Sequence, residues 1–434
     1  MMQYLAPIWA VSAVTWREAI RQRLWLVVAL AGLVLLVAIP NIDAVDSSAR
    51  LKLSVAMIVG TIGFVAMLLS MLIGAVYVRR DLDSRIGFML FAKPLGHWRY
   101  VLGRWLGLQF LIAAAMLFLG GLGALSTWWQ IGALPQPLAV AEAEERWVIA
   151  GGEALPVSRT RRRSWLTGTP QFGRGEGIRW KFSGLVPDQE LLVLVKAIVN
   201  GYDQEYYVDA SVVTMQAQTN EASTPIVLRL AESSKYGRGP EASEHEVILR
   251  NRGPAQSDLD QDYLRVVLPA GVVSDDGTVI IQVNRHDPQS TLGFDAPRDC
   301  LVAQPGDSFF ANLMRALAAQ WALVGLMSAA ALLLSITGNV GVTLLGTMTI
   351  YFCGNGLEYV RAGMRSFRDN PIGHRTLDLF ASIVPDFQRY GIDAQLAGSR
   401  MITLPTVIDA WQYYGMYTVA LLLVAWFLLR RVDQ

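Results

Sequence analysis

The chain is poor in the residues from which most catalytic and nucleotide-binding sites are built. Its 434 residues include four histidines, two cysteines and only five lysines. None of those lysines (Lys52, Lys93, Lys181, Lys196 and Lys235) follows a glycine. A phosphate-binding P-loop needs that pair, because glycine lets backbone N–H groups approach the phosphates while the lysine neutralises them. An ATPase site of that kind is therefore excluded. The histidines (His97, His245, His286 and His374) are scattered and form no HExxH, and the cysteines make no pair at metal spacing, so no metal site is expected. Cys300 falls among strand signals and Cys353 in an apolar run, which argues against a disulfide between them. There is no Gly-x-Ser-x-Gly elbow and no nucleophile, base or metal cluster, so the chain reads as non-catalytic with no bound cofactor. Charge is scarce as well: 17% charged residues and a net charge of +1 give no general argument for nucleic acid.

Apolar residues fill the space. At 53% hydrophobic, with a positive mean hydropathy, the chain is too apolar for an ordinary soluble protein of this length and reads as a membrane protein. A hydrocarbon core of roughly 30 Å needs about 17 to 25 apolar residues per helix. Six runs qualify as candidate spans: Leu24 to Ile39, Leu53 to Val78, Val101 to Trp128, Leu317 to Ile336, Val340 to Leu357 and Trp411 to Leu429. The first is short and ends at Pro40, and the fifth carries Asn355. Ahead of the first run, Leu5, Ile8, Trp9, Ser12, Trp16 and Ile20 recur at helical spacing, predicting an amphipathic helix in the membrane interface. No small-residue cleavage site follows the first run, which reads as an uncleaved anchor.

Orientation follows from Lys and Arg near the span ends. With both termini on one side, that side carries Arg17, Arg21, Arg23, Arg79, Arg80, Arg85, Lys93, Arg99, Arg104, Arg430 and Arg431; the other carries Arg50, Lys52, Arg361, Arg365, Arg368, Arg375, Arg389 and Arg400. Eleven against eight favours both termini in the cytoplasm of a multi-pass protein of the cytoplasmic (inner) membrane. Residues 132–308 then form one inserted extracytoplasmic domain between a first part, 1–131, and a last part, 309–434.

Period-two patterning marks that insertion as β. Ile178, Trp180 and Phe182 alternate with Arg179, Lys181 and Ser183, and Val279, Ile281 and Val283 alternate with Ile280, Gln282 and Asn284. Further strands are expected at Leu191 to Val199, Glu205 to Met215, Pro225 to Leu230, His245 to Asn251 and Tyr263 to Leu268. Turns such as Val186-Pro187-Asp188, Gly237-Arg238-Gly239-Pro240 and Asp275-Asp276-Gly277 separate them. Seven or eight short strands predict an antiparallel, all-β sandwich or jelly-roll-like domain. The fold class is thus an α-helical polytopic membrane protein of about six transmembrane helices with an inserted all-β extracytoplasmic domain.

The most informative stretch is the polar interruption Arg79 to Arg104, between the second and third runs. Asp83, Gly87-Phe88, Leu90-Phe91, Pro94, Trp98, Tyr100 and Gly103-Arg104 resemble the segment between spans two and three of type-2 ATP-binding-cassette (ABC) exporter permeases. In that family the run is acidic, Gly-Thr, Leu-Leu, Pro, Arg, Tyr, Gly-Lys; here Phe88 stands for the threonine, His97 for the arginine and Arg104 for the lysine. Ile383-Val384-Pro385-Asp386-Phe387, followed by a hydrophilic stretch and a last span ending at Arg430-Arg431, resembles the family's closing segment, with re-entrant outer helices near 361–408. The tight Ser335 to Asn339 turn fits between spans four and five. The resemblance covers the spans and short loops, roughly 250 residues, and leaves the inserted domain unexplained.

The resemblance implies that a helix near 79–100 is a coupling helix docking in a groove of a separate ABC ATPase subunit, with Asp83, Arg85, Ile86, Gly87, Phe88, Leu90, Phe91 and Pro94 as coupling residues. ATP and Mg would be bound by that partner. It further implies a second permease subunit, identical or related. Independently of it, Ile86, Leu90 and Phe91 put an apolar ridge on one side of a short helix ended by Pro94, leaving Asp81, Asp83 and Arg85 for ion pairs. The other reading of the same spacing is an interfacial helix resting on lipid, flanked by ordinary positive-inside arginines.

Other groups keep two readings each. Arg159, Arg161, Arg162 and Arg163 either meet an anionic surface, at about 1 kcal/mol per basic residue, or form a solvated loop. Trp128, Trp129 and Trp147 read as interfacial anchors and core. Glu358 and Arg361 either line a polar path or snorkel and pair at a helix end. The function expected is the permease subunit of an ABC exporter, with membrane lipid and an extracytoplasmic partner as further contacts. The competing class is a non-transporting membrane anchor whose β-domain binds a ligand or a protein.

Overall fold

The computed structural model describes residues 2–23, 25–42, 47–83, 96–131, 134, 136–150, 153–156, 163–167, 177–195, 198–200, 213–218, 226–232, 248–249, 264–285, 291–295, 299–366 and 384–432. They fall into two compact units. One, the helical unit, takes in Met1–Pro135, Phe309–Ala397 and Ile402–Gln434; the other, the β unit, takes in Gln136–Ser308 and Gly398–Met401.

The helical unit contains α1 (Met2–Arg21), α2 (Trp25–Ala38), α3 (Ser47–Asp83), α4 (His97–Ile131), α5 (Phe309–Thr337), α6 (Val340–Ser366), α7 (Ile392–Ala397) and α8 (Leu404–Val432). Among the described residues five helices are long and apolar enough to cross a membrane: Arg50–Asp83, His97–Trp129, Phe309–Thr337, Val340–Leu357 and Leu404–Arg431. The expected first span differs. At 14 residues α2 rises only about 21 Å, short of the roughly 30 Å core. Only α1 and α2 together, bent by 61° between Arg21 and Trp25, have the length and apolarity of a span. The fourth and sixth spans start earlier than their apolar runs, at Phe309 and Leu404. For α8 the reason is capping: Thr403 Oγ1 accepts the Thr406 N–H at 3.4 Å, so the helix is set before its apolar stretch begins. Between α5 and α6 the Gly338-Asn339 turn is closed when Asn339 Oδ1 accepts the Val342 N–H at 2.9 Å.

Close helix approach rests on small residues, as expected where lipid gives helices no hydrophobic reason to associate. A Cβ added at Gly74 on α3 would fall 2.5 Å from the Ala331 Cβ on α5. Polar side chains add specific joints: Gln109 on α4 donates to Ser328 Oγ on α5 at 2.6 Å, and Trp411 on α8 donates to the Ala318 carbonyl at 3.0 Å. α5 lies at the centre, and its whole length from Phe309 to Ile336 supplies buried residues.

The β unit has fourteen strands among the described residues: β1 (Leu138–Glu142), β2 (Glu145–Ala150), β3 (Glu153–Pro156), β4 (Arg163–Thr167), β5 (Gly177–Phe182), β6 (Leu191–Val195), β7 (Ile198–Asn200), β8 (Val213–Gln218), β9 (Ile226–Glu232), β10 (Ile248–Leu249), β11 (Leu264–Leu268), β12 (Val279–Arg285), β13 (Thr291–Asp295) and β14 (Cys300–Pro305). They form sheets of order β10-β9-β8-β12-β5-β2-β3, β1-β14-β6-β11 and β4-β13-β7. All named pairings are antiparallel except β9 with β10, which is parallel. The single strand expected from Leu191 to Val199 is two strands, β6 and β7, in different sheets.

The period-two residues of β5 (Ile178, Trp180, Phe182) and β12 (Val279, Ile281, Val283) share one apolar cluster with Leu191, Val193 and Val195 of β6, Val266 and Leu268 of β11 and Val302 of β14. Gly277, at φ 71, makes the turn before β12; a Cβ there would meet the Leu185 carbonyl oxygen at 2.6 Å. Cys300 lies in the same cluster with its thiol free, and burial pushes that thiol's pKa well up.

Candidate functional site

The segment singled out by the sequence, with Arg85, Ile86, Gly87, Phe88, Leu90, Phe91 and Pro94, lies outside the described residues. Its two flanks do not. The expected helix near 79–100 is, at its ends, the last turn of α3 and the first turn of α4. Asp83 pairs with Arg79 one turn back, at 3.0 Å, with side chains 60% and 34% exposed. Asp81 also makes an ion pair, with Arg104, and there it points inward, 7% exposed.

Asp81 belongs to a buried polar knot centred on Arg104. That arginine lies seven residues into α4, about 10 Å along the helix, and is only 5% exposed. Its Nε donates to Asp81 Oδ2 at 3.1 Å, and Nη2 donates to the same oxygen. Nη1 donates to Glu18 Oε2 at 2.7 Å and to Thr15 Oγ1 at 3.1 Å, both on α1. Tyr100 Oη adds a further donor to Asp81, and the guanidinium carbon stands 5.7 Å and 5.8 Å from the ring centroids of Tyr77 and Tyr100. Three helices are thus tied at one cation. Glu18, 38% exposed, is the one carboxylate of the knot with substantial access to solvent.

The backbone allows this because α4 carries Gly103 and Gly107 on either side of Arg104. A Cβ at Gly103 would meet Val11 Cβ at 2.7 Å and the Ile8 carbonyl oxygen at 2.9 Å; one at Gly107 would meet Thr15 Cβ at 2.7 Å and the Ser12 carbonyl oxygen at 2.8 Å. Ser12 Oγ donates to the Gly103 carbonyl at 2.9 Å across the same contact. A small-xxx-small pair therefore brings α1 against α4 until Arg104 can reach Glu18. An arginine costs about 2.5–3.5 kcal/mol at the centre of a spanning helix and less toward its end, where Arg104 lies. Two carboxylates and a hydroxyl offset that cost here, whereas removing the cation would leave the buried Asp81 carboxylate without its counter-charge, at about 3–5 kcal/mol. The arrangement joins elements, and no group of three or more His, Cys, Asp or Glu that could hold a metal ion gathers among the described residues.

The other candidates are less defined. Arg159, Arg161 and Arg162 lie outside the described residues, and Arg163 opens β4 with its side chain outside them. Glu358 and Arg361 lie on α6, with side chains likewise outside the described set. One turn earlier, Phe387 packs on Gly354, where a Cβ would fall 2.7 Å from its ring, and Gln388 donates to Asn355 Oδ1 at 2.8 Å. Tyr413 Oη accepts the Asp386 N–H at 3.0 Å, and Tyr414 Oη donates to the Asp386 carbonyl at 3.1 Å. Arg389 stacks 4.5 Å from the Tyr413 ring centroid. The segment after Ile383 is thereby fastened to α6 and α8. Trp128 and Trp129 are exposed at the end of α4, as interfacial anchors would be, and Trp147 is half-buried in β2.

No family model, curated protein or solved structure matches the chain.

Proposed function

We propose that the chain is the membrane-spanning subunit of an ABC exporter, driven by a separate ATPase subunit that binds ATP and Mg on the cytoplasmic face. The supporting observation is the Arg104 knot: the helix entering residues 84–95 and the helix leaving them are locked to each other and to α1 by one buried cation. A push on 84–95 by a docked partner then displaces α3, α4 and α1 together instead of bending one helix. The resemblance of that segment to a coupling helix supplies the identity of the partner; the knot supplies a reason why force applied there reaches the spans.

In this reading both termini are cytoplasmic, the membrane is the cytoplasmic one, and two such subunits, identical or related, enclose the pathway with two ATPases. The β unit is extracytoplasmic and sandwich-like, its two larger sheets sharing one apolar core, and it receives or screens cargo or docks an outer partner. Arg159, Arg161, Arg162 and Arg163 would meet anionic groups on that side, and Glu358 and Arg361 would face the pathway. Deleting Ile86 to Phe91 from the full-length chain is expected to abolish co-purification with an ATPase while the protein remains in the membrane. Retained co-purification would count against the assignment and favour a non-transporting anchor for the β unit.

A further inference from the structure

The first helix divides its circumference into three faces. At about 100° per residue, Val11, Ser12, Thr15 and Ala19 of α1 fall together and are buried, with Val11, Ser12 and Thr15 closing on Gly103 and Gly107 of α4. A third of the way round lie Trp9, Trp16 and Ile20, which are 65%, 36% and 50% exposed. Trp9 meets the ring of Phe110, itself exposed on α4, with centroids 5.7 Å apart. The last third carries Val14, Arg17 and Arg21, all exposed.

The corner that follows is a hydrogen-bonded turn. The Gln22 N–H donates to the Glu18 carbonyl at 2.9 Å, the Arg23 N–H to the Ile20 carbonyl at 3.1 Å, and the Leu26 N–H to the Arg23 carbonyl at 2.9 Å. Arg23 takes φ 58 to make it, and Arg21, Gln22 and Arg23 are left exposed at the bend. Beyond the bend α2 contains no polar side chain, and Trp25, Leu26, Leu30 and Leu33 stand exposed on it. The side chains of Arg17, Arg21 and Arg23 make no ion pair or hydrogen bond among the described residues. Glu18, the one carboxylate on α1, is already committed to Arg104.

Three unneutralised cations beside exposed tryptophans fit a lipid interface better than a protein surface. An acidic protein would neutralise the arginines and leave Trp9, Trp16 and Ile20 in water. A bilayer takes the rings and the aliphatic side chain at headgroup depth while its phosphates meet the guanidinium groups. We propose that Arg17, Arg21 and Arg23 form a binding site for the headgroup of an anionic phospholipid, so that α1 selects negatively charged lipid where the chain turns into the bilayer. The inference rests on the membrane character of the chain and needs neither an ATPase partner nor a particular side of the membrane.

The purified full-length chain in nanodiscs of mixed phosphatidylcholine and phosphatidylglycerol tests the site with no partner present. Photoreactive forms of the two lipids, with identical acyl chains, are compared by mass-spectrometric mapping of the labelled peptides. The usual attraction of one basic residue is roughly a fivefold preference, so the phosphatidylglycerol probe should label α1 roughly 25-fold more than the phosphatidylcholine probe where two arginines share a headgroup. Arg17→Gln, Arg21→Gln and Arg23→Gln together should bring the two probes to parity. The three corresponding lysine substitutions should keep most of the preference, because a charge is being read. The parent alone gives a second measurement: raising NaCl from about 0.15 M to about 1 M shortens the Debye length from about 8 Å to about 3 Å and should cut the preference several-fold. Equal labelling by both probes in the parent, or a preference that survives the three glutamines, overturns the site. Displacement of the probe by soluble glycerol phosphate would assign the arginines to a free anion instead. Loss of a co-purifying protein from native membranes in the glutamine variant, with lipid labelling unchanged, would assign them to a protein surface; either result contradicts the proposal.

Discussion

Arg104 in the helical unit and Arg146 in the β unit are both nearly withdrawn from solvent, and both pair with a buried aspartate, but their surroundings differ in kind. Arg146 on β2 meets Asp299, which precedes β14, at 2.7 Å, with side chains 10% and 2% exposed. Asp299 is otherwise held locally, accepting the Cys300 N–H at 2.9 Å and the Trp180 indole N–H at 3.3 Å. Burial raises the Asp299 pKa above the ordinary value of 3.8 even with the arginine beside it. Desolvation therefore outweighs attraction, as is common for buried pairs. Arg104 instead bonds to side chains of two other helices, α1 and α3, and two carboxylates share the one cation. The first pair decorates a core that is already apolar on both sheets; the second is the joint itself.

That contrast can be broken at its strong end. Arg104→Met should cost about 3–5 kcal/mol by stranding Asp81, read as a lower unfolding midpoint of the detergent-extracted chain and as release of α1 to added protease. Should the midpoint hold, the knot is not a joint. Gly103→Leu attacks the same contact through shape, and overpacking against Val11 and the Ile8 carbonyl is expected to cost about 1–3 kcal/mol. Cross-linking between cysteines placed on α1 and α4 would report the separation, and an unaltered cross-link yield would argue against close packing there.

At the weak end, Arg146→Met with Asp299→Asn keeps an acceptor for Trp180 and Cys300 while removing both charges. The stability of the β unit, followed by hydrogen exchange in β5 and β12, should stay within about 1 kcal/mol of the parent or rise. The same pair of substitutions tests a pH dependence. With its folded pKa above 3.8, Asp299 binds its proton more readily folded than unfolded. Its contribution is therefore fully present below that value and is lost as pH rises through the folded pKa, with a slope of at most about 1.4 kcal/mol per pH unit. The parent should gain protection on acidification, and the double variant should lack that component. The smallest effect is expected from Asp83→Asn: its pair with Arg79 is exposed, so the loss should be below about 0.5 kcal/mol.

What the sequence made legible was whatever repeats locally. The alternation in β5 and β12 and the apolar runs of α3, α4 and α5 are one-dimensional patterns, and those elements form over them, with α5 reaching back to Phe309. Leu191 to Val199 misled because two strands of different sheets adjoin in one apolar stretch, Leu-Leu-Val-Leu-Val and then Ile-Val-Asn. The Arg104 knot was half visible. A charge between Gly103 and Gly107 at small-residue spacing marks a helix contact, but its partners lie 23 and 86 residues away in sequence, and no spacing rule reaches that far. For the same reason the sequence could offer Asp81 for an ion pair but not say which, since only its distance to Arg104 and Tyr100 shows that it points inward. The parallel bridge between Leu138 and Arg400 was beyond reach altogether: a single backbone bridge across so long an interval leaves no trace in residue type.

The central claim is that residues 84–95 are where a motor subunit grips the chain and that the Arg104 knot carries the displacement onward. A photo-cross-linking amino acid at Phe88, activated in native membranes and followed by mass spectrometry, tests it most directly. The account predicts a cross-link to a protein bearing a Walker-A P-loop, and cross-links to lipid alone would contradict it.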